Sequence, residues 1–491
     1  MTTPTNNLTD DSTDDSTGDS TGDSTGDSTG QRIIRLAGAL RRAIDADRVV
    51  TSGSAYQAGV HVWNGAVTHR PGVVVRCATA ADARAAVLAA REHGVAFSVR
   101  GGGHDWAGRA LTDGGLTIDL SGLRSVRVDP ATAVAELAGG ATGADLARAA
   151  QPFGLTAVTG TVGSVGVVGL SLGGGYGPLS GRFGLALDNV LSADVVLADG
   201  SLVTADAERE PELLWALRGG GGNFGLVTAV RVQLHRTPTL LSGRVLFPWA
   251  QASSVLARLA EFVPEGPDEL TVQCGFLAGP DGTPVVFVIP TWSGDDTRAG
   301  EEALARLTAL GEPLAARLGR TTGPDMLAGT DAMFPFGKHV EIRPRTVPAL
   351  TSTVRAALVA AGDALTSPLS AVSLHSLHGA ASRTPATDTA FANRAPHLMV
   401  ETIARWEAGD PREPEHRAWA RDLSAALASE AMPGGYPNLL GPDETEQIAH
   451  AYGPNTERLL AAKRRFDPDG VFHATPLPAR PAGAGPGHDM T

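Results

Sequence analysis

The chain has 491 residues, a formal net charge of -13 and 60 glycines. This length exceeds what one hydrophobic core usually serves, so we expect two domains. The acidic balance argues against nucleic acid and anionic membranes as partners, since both attract basic surfaces.

The two cysteines, Cys77 and Cys274, lie in apolar, strand-like stretches. Two thiols cannot form a cysteine-rich metal site, and their separation excludes a CxxC motif, so we predict buried free thiols and no metal. No run of about 18 apolar residues is present, which predicts no membrane span. The first residues lack a basic stretch followed by an apolar one, so we expect no secretory signal and a cytoplasmic protein.

The N-terminal part predicts a tail followed by a β–α–β unit. Residues 1–30 carry an Asp-Ser-Thr repeat with glycine spacers that holds nothing apolar to bury, so we expect a disordered tail. A helix at 31–48, a strand at 72–77, an alanine-rich helix at 80–93 and a strand at 95–99 are predicted to follow. The last strand delivers residues 100–104 at its C-terminal end, where open α/β sheets usually place ligands.

Glycine-rich stretches dominate the first half of the chain. Residues 98–108 read Ser-Val-Arg-Gly-Gly-Gly-His-Asp-Trp-Ala-Gly, and further glycine runs lie at 173–175 and 219–222. Glycine lets backbone N–H groups approach a ligand without a Cβ in the way, and such turns can cradle phosphate oxygens. His104 ends the first run; it could be a base, a ligand, an attachment point or a structural residue.

Several familiar motifs are missing from the sequence. No GxGxxG opens a helix after the first strand with an acidic residue about 20 positions later, so a Rossmann site is not predicted. The GxxxxGK[ST] pattern of a P-loop and the HExxH pattern of a zincin are also absent. The glycine-rich stretches therefore need a different explanation.

The second half of the chain has a different pattern of predicted strands and helices, and we place a domain boundary near Pro238. Strands are predicted to begin at 270, 283, 371 and 397, with helices near 251–262, 298–318, 347–361, 412–429 and 444–466. Strands and helices mixed in this way predict an antiparallel sheet with helices on one face. The opposite face would be free to cover a ligand.

Four ordered motifs resemble one family. The turn at 99–104 resembles the flavin-attachment turn of the FAD-linked oxidases related to berberine bridge enzyme, in the vanillyl-alcohol-oxidase superfamily. The matching segments are GTVGSVGVVGLSLGGGYG at 160–177 with RFGLALDN at 182–189, LWALRGGGGNFGLVT at 214–228, and YPN at 436–438 with YGPN at 452–455 and RLLAAK at 458–463. The resemblance covers roughly residues 45–480 and is specific for the family rather than for a substrate.

This resemblance implies an α+β fold with a PCMH-type FAD-binding domain built in two parts. That domain would occupy residues 31–238, and a substrate domain with an antiparallel sheet backed by helices would occupy residues 239–430. Residues 431–480 would return to the FAD domain, and residues 481–491 would form a second tail.

The resemblance also implies which residues hold FAD. The side chain of His104 would bond to the flavin 8α-methyl group, while Tyr436 and Asn438 would face the flavin ring from the substrate side. The other contacts would come from Arg100, Gly101, Gly102, Gly103 and Gly108 in the first stretch, from Gly160, Thr161, Val165, Gly166 and Gly169 in the second, and from Gly222, Asn223, Gly225 and Val227 in the third.

Three positions depart from or refine the family pattern. Val162 stands where many relatives have a cysteine that forms a second flavin bond, so we predict a single covalent link through His104. The reduction potential of the flavin should then be lower than in doubly linked relatives. Val165 stands where a residue gates oxygen in the family, and valine is the permissive type, which favours an oxidase. Leu170 replaces a polar residue that some relatives place near the ribityl chain.

Candidate catalytic residues lie in the second half. Glu401 and His375 fall in strand-like segments, where each is either used chemically or simply paired, Glu401 for example with Arg405. Tyr436 and Asn438 are candidates because the family motif carries them. The weaker candidates are His378 in the pocket and Lys338 and His339 at its rim.

The sequence thus predicts an oxidase that takes a hydride from a C–H next to O–H or N–H and passes electrons to molecular oxygen, giving hydrogen peroxide. Its small-molecule substrate could be a sugar, an alkaloid or polyketide-like intermediate, or an aromatic alcohol. Two alternatives stay open: a dehydrogenase that uses another acceptor, and a resistance flavoprotein that binds a drug. The sequence does not indicate the oligomeric state.

Overall fold

The computed structural model describes residues 29–237 and 240–479, and its strands form three sheets. The strands are β1 Val49–Val50, β2 Val73–Arg76, β3 Phe97–Arg100, β4 Leu116–Asp119, β5 Val126–Asp129, β6 Val134–Ala138, β7 Leu155–Ala157, β8 Val190–Val196, β9 Leu202–Ala205, β10 Leu226–Arg236, β11 Leu240–Pro248, β12 Leu270–Ala278, β13 Pro284–Trp292, β14 Ala315–Thr321, β15 His339–Val347, β16 Ala371–Leu377 and β17 His397–Trp406.

Helices connect and cover these strands. They are α1 Thr29–Ala43, α2 Gly53–Val60, α3 Ala80–Glu92, α4 Gly143–Ala150, α5 Val167–Gly173, α6 Ser180–Phe183, α7 Pro211–Gly220, α8 Ala252–Phe262, α9 Thr297–Thr308, α10 Gly323–Asp331, α11 Ser352–Asp363, α12 Ala380–Arg383, α13 Glu413–Leu427, α14 Thr445–His450 and α15 Thr456–Phe466.

The first sheet has the order β1-β2-β4-β3 and contains the predicted β–α–β unit. Strand β4 pairs in parallel with both β2 and β3. The connecting helix α3 begins at a capping box, in which Thr79 and Asp82 satisfy each other's backbone N–H groups. Strand β3 ends at Arg100, so the glycine turn leaves the sheet at the carboxyl edge of a parallel strand, as predicted.

The second sheet is antiparallel, with the order β5-β6-β10-β8-β9 and β7 paired to β10. The C-terminal segment packs against this part of the molecule. Tyr452 and Leu459 are fully buried in its core, and Phe472 reaches the core of the first sheet. The polypeptide therefore returns, after the third sheet, to the elements that carry the glycine-rich turns.

The third sheet has seven antiparallel strands in the order β14-β11-β13-β12-β16-β17-β15. Its main core lies against one face, where side chains of α8, α9, α11 and α13 pack on those of the strands. Along β17, Leu398 and Val400 point into this core, because side chains alternate between the two faces of a strand. The α+β class and the antiparallel sheet backed by helices are thus confirmed.

Several predicted elements need correction. The helix predicted over 298–318 ends at Thr308, and residues 315–321 form the edge strand β14 instead. Strands β11 and β15 were not predicted. The helix predicted over 444–466 is two helices, α14 and α15, separated by a 3₁₀ turn at Gly453–Asn455.

The predicted tails and the domain boundary mostly lie outside the described residues. Of the tail predicted at 1–30, only residues 29 and 30 are described, and they begin helix α1. Residues 238 and 239 and residues 480–491 are not described. The domain limits therefore stay a prediction.

Both cysteines are buried free thiols, as predicted: Cys77 is 2% exposed and Cys274 is 1% exposed. Burial raises the pKa of both thiols. Within residues 29–237 and 240–479, no helix combines the length and the apolar character that a bilayer crossing requires.

Candidate active site

A cavity of about 380 Å³ lies between the glycine-rich turns and the third sheet. The turns form one wall and the sheet face opposite the helices forms the other. Of the predicted site residues, those that line it are Gly101, Gly102, Gly103, His104, Gly160, Thr161, Val165, Gly166, Gly169, Gly222, Gly225, Val227, His375, Glu401, Tyr436 and Asn438.

The first two turns meet through their glycines. A Cβ on Gly102 would overlap the backbone nitrogen of Gly166, and a Cβ on Gly166 would come within 2.7 Å of the Gly102 nitrogen. Gly103 has a φ of +71°, a conformation that favours glycine. The two backbones can approach this closely only without side chains, so the wall they form is mostly peptide groups.

His104 is fixed in orientation on this wall. Its ring stacks on Trp63 with centroids 5.4 Å apart, and it meets the edge of Phe336 at 5.0 Å. Its Nε2 atom lies 3.0 Å from Oγ of Ser164, which donates at 3.0 Å to Oδ1 of Asp331. Because a carboxylate only accepts, the Ser164 proton is used there, and the imidazole must donate from Nε2.

This hydrogen-bond chain leaves Nδ1 of His104 as the nitrogen with a free lone pair. Burial lowers the pKa of His104 to about 4, although the charge of Asp331 acts in the opposite direction. The imidazole is therefore neutral at physiological pH. A neutral ring with one free lone pair is the form of histidine that can act as a nucleophile.

The glycine wall leaves a cradle that fits FAD. Gly169 lies inside α5 and lines the cavity, and a Cβ built there would meet no atom within 4 Å. Nearby, Arg109 pairs with Asp105, but its Nη1 atom is buried without a hydrogen-bond partner among the described residues. Peptide walls, space where a side chain would stand and an unused donor suit a flat, oxygen-rich dinucleotide.

Replacing Gly169 with leucine should weaken FAD binding by roughly tenfold or more, because the added side chain would fill the cradle, at a cost of about 1–3 kcal/mol. Leucine is a better helix former than glycine, so α5 itself should be stabilised. The measurement is FAD titration by fluorescence quenching in a His104→Ala background. Gly329→Leu is the matched control, since Gly329 is also helical with open space at its Cβ but does not line the cavity. Equal affinity in both variants would contradict the cradle.

Two residues that the resemblance placed on the cofactor have their side chains elsewhere. The Arg100 guanidinium donates to the carbonyls of Ala58 and Gly59 at 2.9 and 3.0 Å, at the end of α2. Asn223 is 1% exposed and binds the backbone of Thr475. The side chain of Arg100 thus satisfies helix carbonyls and that of Asn223 fastens the C-terminal segment, while contacts of these two residues with FAD stay a prediction.

Gly108 also lies outside the cavity lining. Its φ is +84°, and a Cβ there would come within 2.9 Å of a Val67 methyl group. The residue is therefore glycine because of a tight turn and its packing.

The second glycine run makes room for the family motif near the C-terminus. A Cβ on Gly173 would overlap the side chain of Asn438, and a Cβ on Gly174 would lie 2.5 Å from the Tyr436 ring. The Tyr436 hydroxyl accepts from the Gly175 N–H and from Nδ2 of Asn438, both at 2.9 Å. These glycines therefore hold Tyr436 and Asn438 rather than line the cavity.

Tyr436 keeps its proton at neutral pH. Burial raises the pKa of Tyr436 to about 12, the two donated hydrogen bonds lower it, and the charge of Glu401 raises it further. Since its oxygen already accepts two hydrogen bonds, the hydroxyl proton is left to donate. Tyr436 is thus a hydrogen-bond donor at the cavity surface.

The sheet wall brings together two of the predicted catalytic residues. Oε2 of Glu401 lies 3.4 Å from Nε2 of His375, across the paired strands β17 and β16. Ser373 contacts the same His375 nitrogen at 3.1 Å and accepts from Gln273 at 2.8 Å. Glu401 is therefore held by a sheet network, and its partner is His375 rather than the Arg405 considered from sequence.

Three weaker candidates lie away from the cavity. Lys338 forms an ion pair with Glu407 on the surface, and His339 packs against Trp406. His378 contacts the carbonyl of Leu270 at 3.1 Å. None of the three lines the cavity, so the predictions of a rim role for Lys338 and His339 and a pocket role for His378 are wrong.

Sequence reasoning missed several cavity residues. They are Trp63, Arg109, Arg244, Gln273, Phe334 and the C-terminal stretch 472–475. The alternation of apolar and polar residues at the start of β12, Leu-Thr-Val-Gln, could have indicated Gln273. Arg109 directly follows the first glycine-rich stretch, and its pairing with Asp105 four residues earlier could have indicated it. Trp63, Arg244 and Phe334 lie outside the glycine runs and gave no comparable signal.

Comparisons with known proteins agree with this architecture. Residues 71–206 match the family described as FAD binding domain, and residues 435–476 match the one described as berberine and berberine like. The (R)-6-hydroxynicotine oxidase of Paenarthrobacter nicotinovorans is 31% identical over 448 residues, covering 88% of this chain and 96% of that protein.

Solved structures give the same result. The 6-hydroxy-D-nicotine oxidase from Arthrobacter nicotinovorans superposes with a TM-score of 0.78 at 31% identity, covering 87% of this chain and 96% of that chain. The xylooligosaccharide oxidase from Myceliophthora thermophila C1 in complex with xylobiose gives 0.78 at 25% identity, covering 91% and 99%. The resemblance carried by the four motifs is confirmed.

Proposed function

Because this chain belongs to the berberine-bridge-enzyme-like family of FAD-linked oxidoreductases, we propose that it is an oxidase with FAD bonded to His104 alone. The observation that carries the proposal is the cavity itself. It sets the neutral His104 on a wall of peptide groups and the Glu401–His375 pair on the wall opposite. Relatives that act on a nicotine derivative and on an oligosaccharide leave the substrate class open.

The glycine-rich turns and His104 would hold FAD, which would supply the redox chemistry: acceptance of a hydride from a substrate carbon and transfer of the electrons to oxygen, giving hydrogen peroxide. The chain's residues supply positioning and proton transfer. Glu401, supported by His375, takes the proton of the substrate O–H or N–H. Tyr436 donates a hydrogen bond to the substrate heteroatom. The apolar side chains of the third sheet exclude water around the reacting carbon.

The environment of His104 supports a single covalent bond at Nδ1. Nε2 is engaged with Ser164, and Val162 lines the cavity where a cysteine would be needed for a second bond. Bonding of Nδ1 to the flavin 8α carbon would release a proton from the 8α methyl group and would leave the flavin reduced by two electrons, which molecular oxygen would remove. The imidazole would become positive in this step and would have to lose its Nε2 proton. Ser164 can pass that proton to Asp331, which already accepts from it.

Replacing Asp331 with asparagine should slow formation of covalent flavin by about a hundredfold, the lower end of general-base effects, because asparagine is a much weaker proton acceptor. The measurement follows apoprotein mixed with FAD, acid-precipitated at intervals and weighed by mass spectrometry. Asp325→Asn is the control, since Asp325 lies on the same helix and contacts Thr322 instead. Equal rates for the three proteins would argue against the relay.

Val165 supports oxygen as the electron acceptor. It lines the cavity beside the glycine wall, with its carbonyl held by the N–H of Gly143 at 3.0 Å. The position gates oxygen in the family, and valine leaves it open. We therefore favour an oxidase over a dehydrogenase.

The test is anaerobic mixing of the holoprotein with a panel of sugars, aromatic alcohols and amines. Bleaching of the flavin by one of them, followed by rapid return of colour and peroxide in air, supports the oxidase. Return of colour only with an artificial acceptor such as dichlorophenolindophenol makes the protein a dehydrogenase. If no compound bleaches the flavin, whether or not it binds, the oxidase proposal gives way to the alternative of a flavoprotein that binds a drug.

A further inference from the structure

Arg244 is a cation without a partner in the wall of the cavity. It lies on β11 and lines the cavity on the third-sheet side. Its Nε atom is buried and makes no hydrogen bond, and no acidic side chain of the described residues forms an ion pair with it. A buried donor left unused normally costs free energy, so an arginine in this position calls for a ligand.

The acids of the cavity are already engaged. Asp105 pairs with Arg109, and Glu401 lies against His375. Across the strand pair, the residue in register with Arg244 is Arg317 on β14, which likewise forms no ion pair with an acidic side chain of the described residues. Like charges directly opposite each other destabilise a sheet, and an anion placed beside them relieves the repulsion. Burial without a compensating acid also lowers the pKa of Arg244.

Register places Arg244 in line with the catalytic pair. Val245 pairs with Val288, which puts Arg244 level with Ile289. Ile289 pairs with Gln273, and Gln273 with His375. Arg244 and His375 therefore stand in one row across four strands, with roughly 14 Å between their Cα atoms at the usual strand spacing.

Of the two residues in the middle of this row, Ile289 is apolar and Gln273 already donates to Ser373, and the neighbouring rows add further apolar side chains. Phe287, Ile289 and Leu277 line the cavity between the two ends. We propose that the substrate is an amphipathic carboxylic acid whose carboxylate binds Arg244, whose apolar body covers the middle strands, and whose oxidisable C–H lies at Glu401. This inference rests on the proposed oxidase function and names the substrate class of that site.

Binding of a matched probe pair to the holoprotein tests the proposal without turnover. The probes are 4-phenylbutyrate and its neutral isostere 4-phenylbutanamide. Their binding is measured by the change that each causes in the flavin absorbance. We expect the acid to bind the unchanged protein at least tenfold more tightly than the amide, as for a hydrogen bond to a charged group. Arg244→Met should abolish that preference, and Arg244→Lys should retain part of it.

Arg320→Met is the matched control, because Arg320 is an exposed arginine on β14 that does not line the cavity. Equal affinity for acid and amide, or a preference unchanged in Arg244→Met, would overturn the proposal. Acetate or phosphate competing as strongly as 4-phenylbutyrate would also overturn it, since the site would then take a free anion. Flavin bleaching is a separate measurement, so failure of the oxidase function alone leaves this binding result standing.

Discussion

We expect replacement of His104 with alanine to remove all covalently bound flavin. The reason is that Val162 offers no thiol and that, among the described residues of the glycine-rich turns that line the cavity, His104 is the only histidine and none is a cysteine. After acid precipitation the yellow colour should stay in the supernatant, and the protein mass should equal that of the polypeptide alone. FAD should still bind reversibly to His104→Ala, because the peptide walls and the Gly169 cradle are unchanged.

His339→Ala is the matched control for this experiment. His339 was a weaker candidate from sequence, and its ring packs on Trp406 outside the cavity. Its variant should retain the full covalent flavin. Covalent flavin in His104→Ala would show that another residue forms the bond. If His104→Ala also loses reversible FAD binding, the role of His104 is to maintain the fold and not specifically to attach the flavin.

The pH dependence of flavin attachment in the unchanged protein is a further test of His104. Burial holds the pKa of His104 near 4, below the ordinary value of 6.5. The ring is therefore neutral above about pH 5, and the rate of flavin attachment should not change with His104 titration between pH 6 and 8. The rate should fall as pH approaches 4, where the protonated ring loses its lone pair. A fall centred near 6.5 would mean that the ring is solvated.

The glycine wall was predictable because its chemistry is local. Residues 101–104 follow a strand directly, so sequence neighbours are also neighbours in the site. The side-chain partners of Arg100 could not be predicted in this way, because they are carbonyls of α2, in a segment that the sequence presents as irregular. A side chain adjacent to a site in sequence is thus not adjacent in space when a better hydrogen-bond partner lies behind it.

The sheet wall was less predictable because strand register is a tertiary property. Glu401 and His375 were identified separately, but nothing local states that β16 and β17 pair with Ser373 opposite Glu401. Edge strand β14 illustrates the same limit. Its sequence, AARLGRT, has few of the β-branched and aromatic residues that favour strands, and its pairing with β11 decides its conformation.

Replacing Glu401 with glutamine should lower the rate of flavin reduction by about 10²–10⁴-fold, the range for removal of a general base. Glutamine keeps the shape of the side chain and its place beside His375, but it does not take a proton from the substrate. FAD content and substrate affinity should change little, because Glu401 faces the substrate side of the cavity. The measurement is anaerobic stopped-flow reduction with a compound that bleaches the unchanged protein.

Glu407→Gln separates this effect from a general loss of negative charge. Glu407 follows β17 directly, pairs with Lys338 and lies on the surface, so its variant should reduce at the normal rate. His375→Asn gives a second, independent readout: it should lower the rate less than Glu401→Gln, because the base itself is still present. An unchanged rate in Glu401→Gln would mean that another cavity residue is the base, and His375 would be tested next.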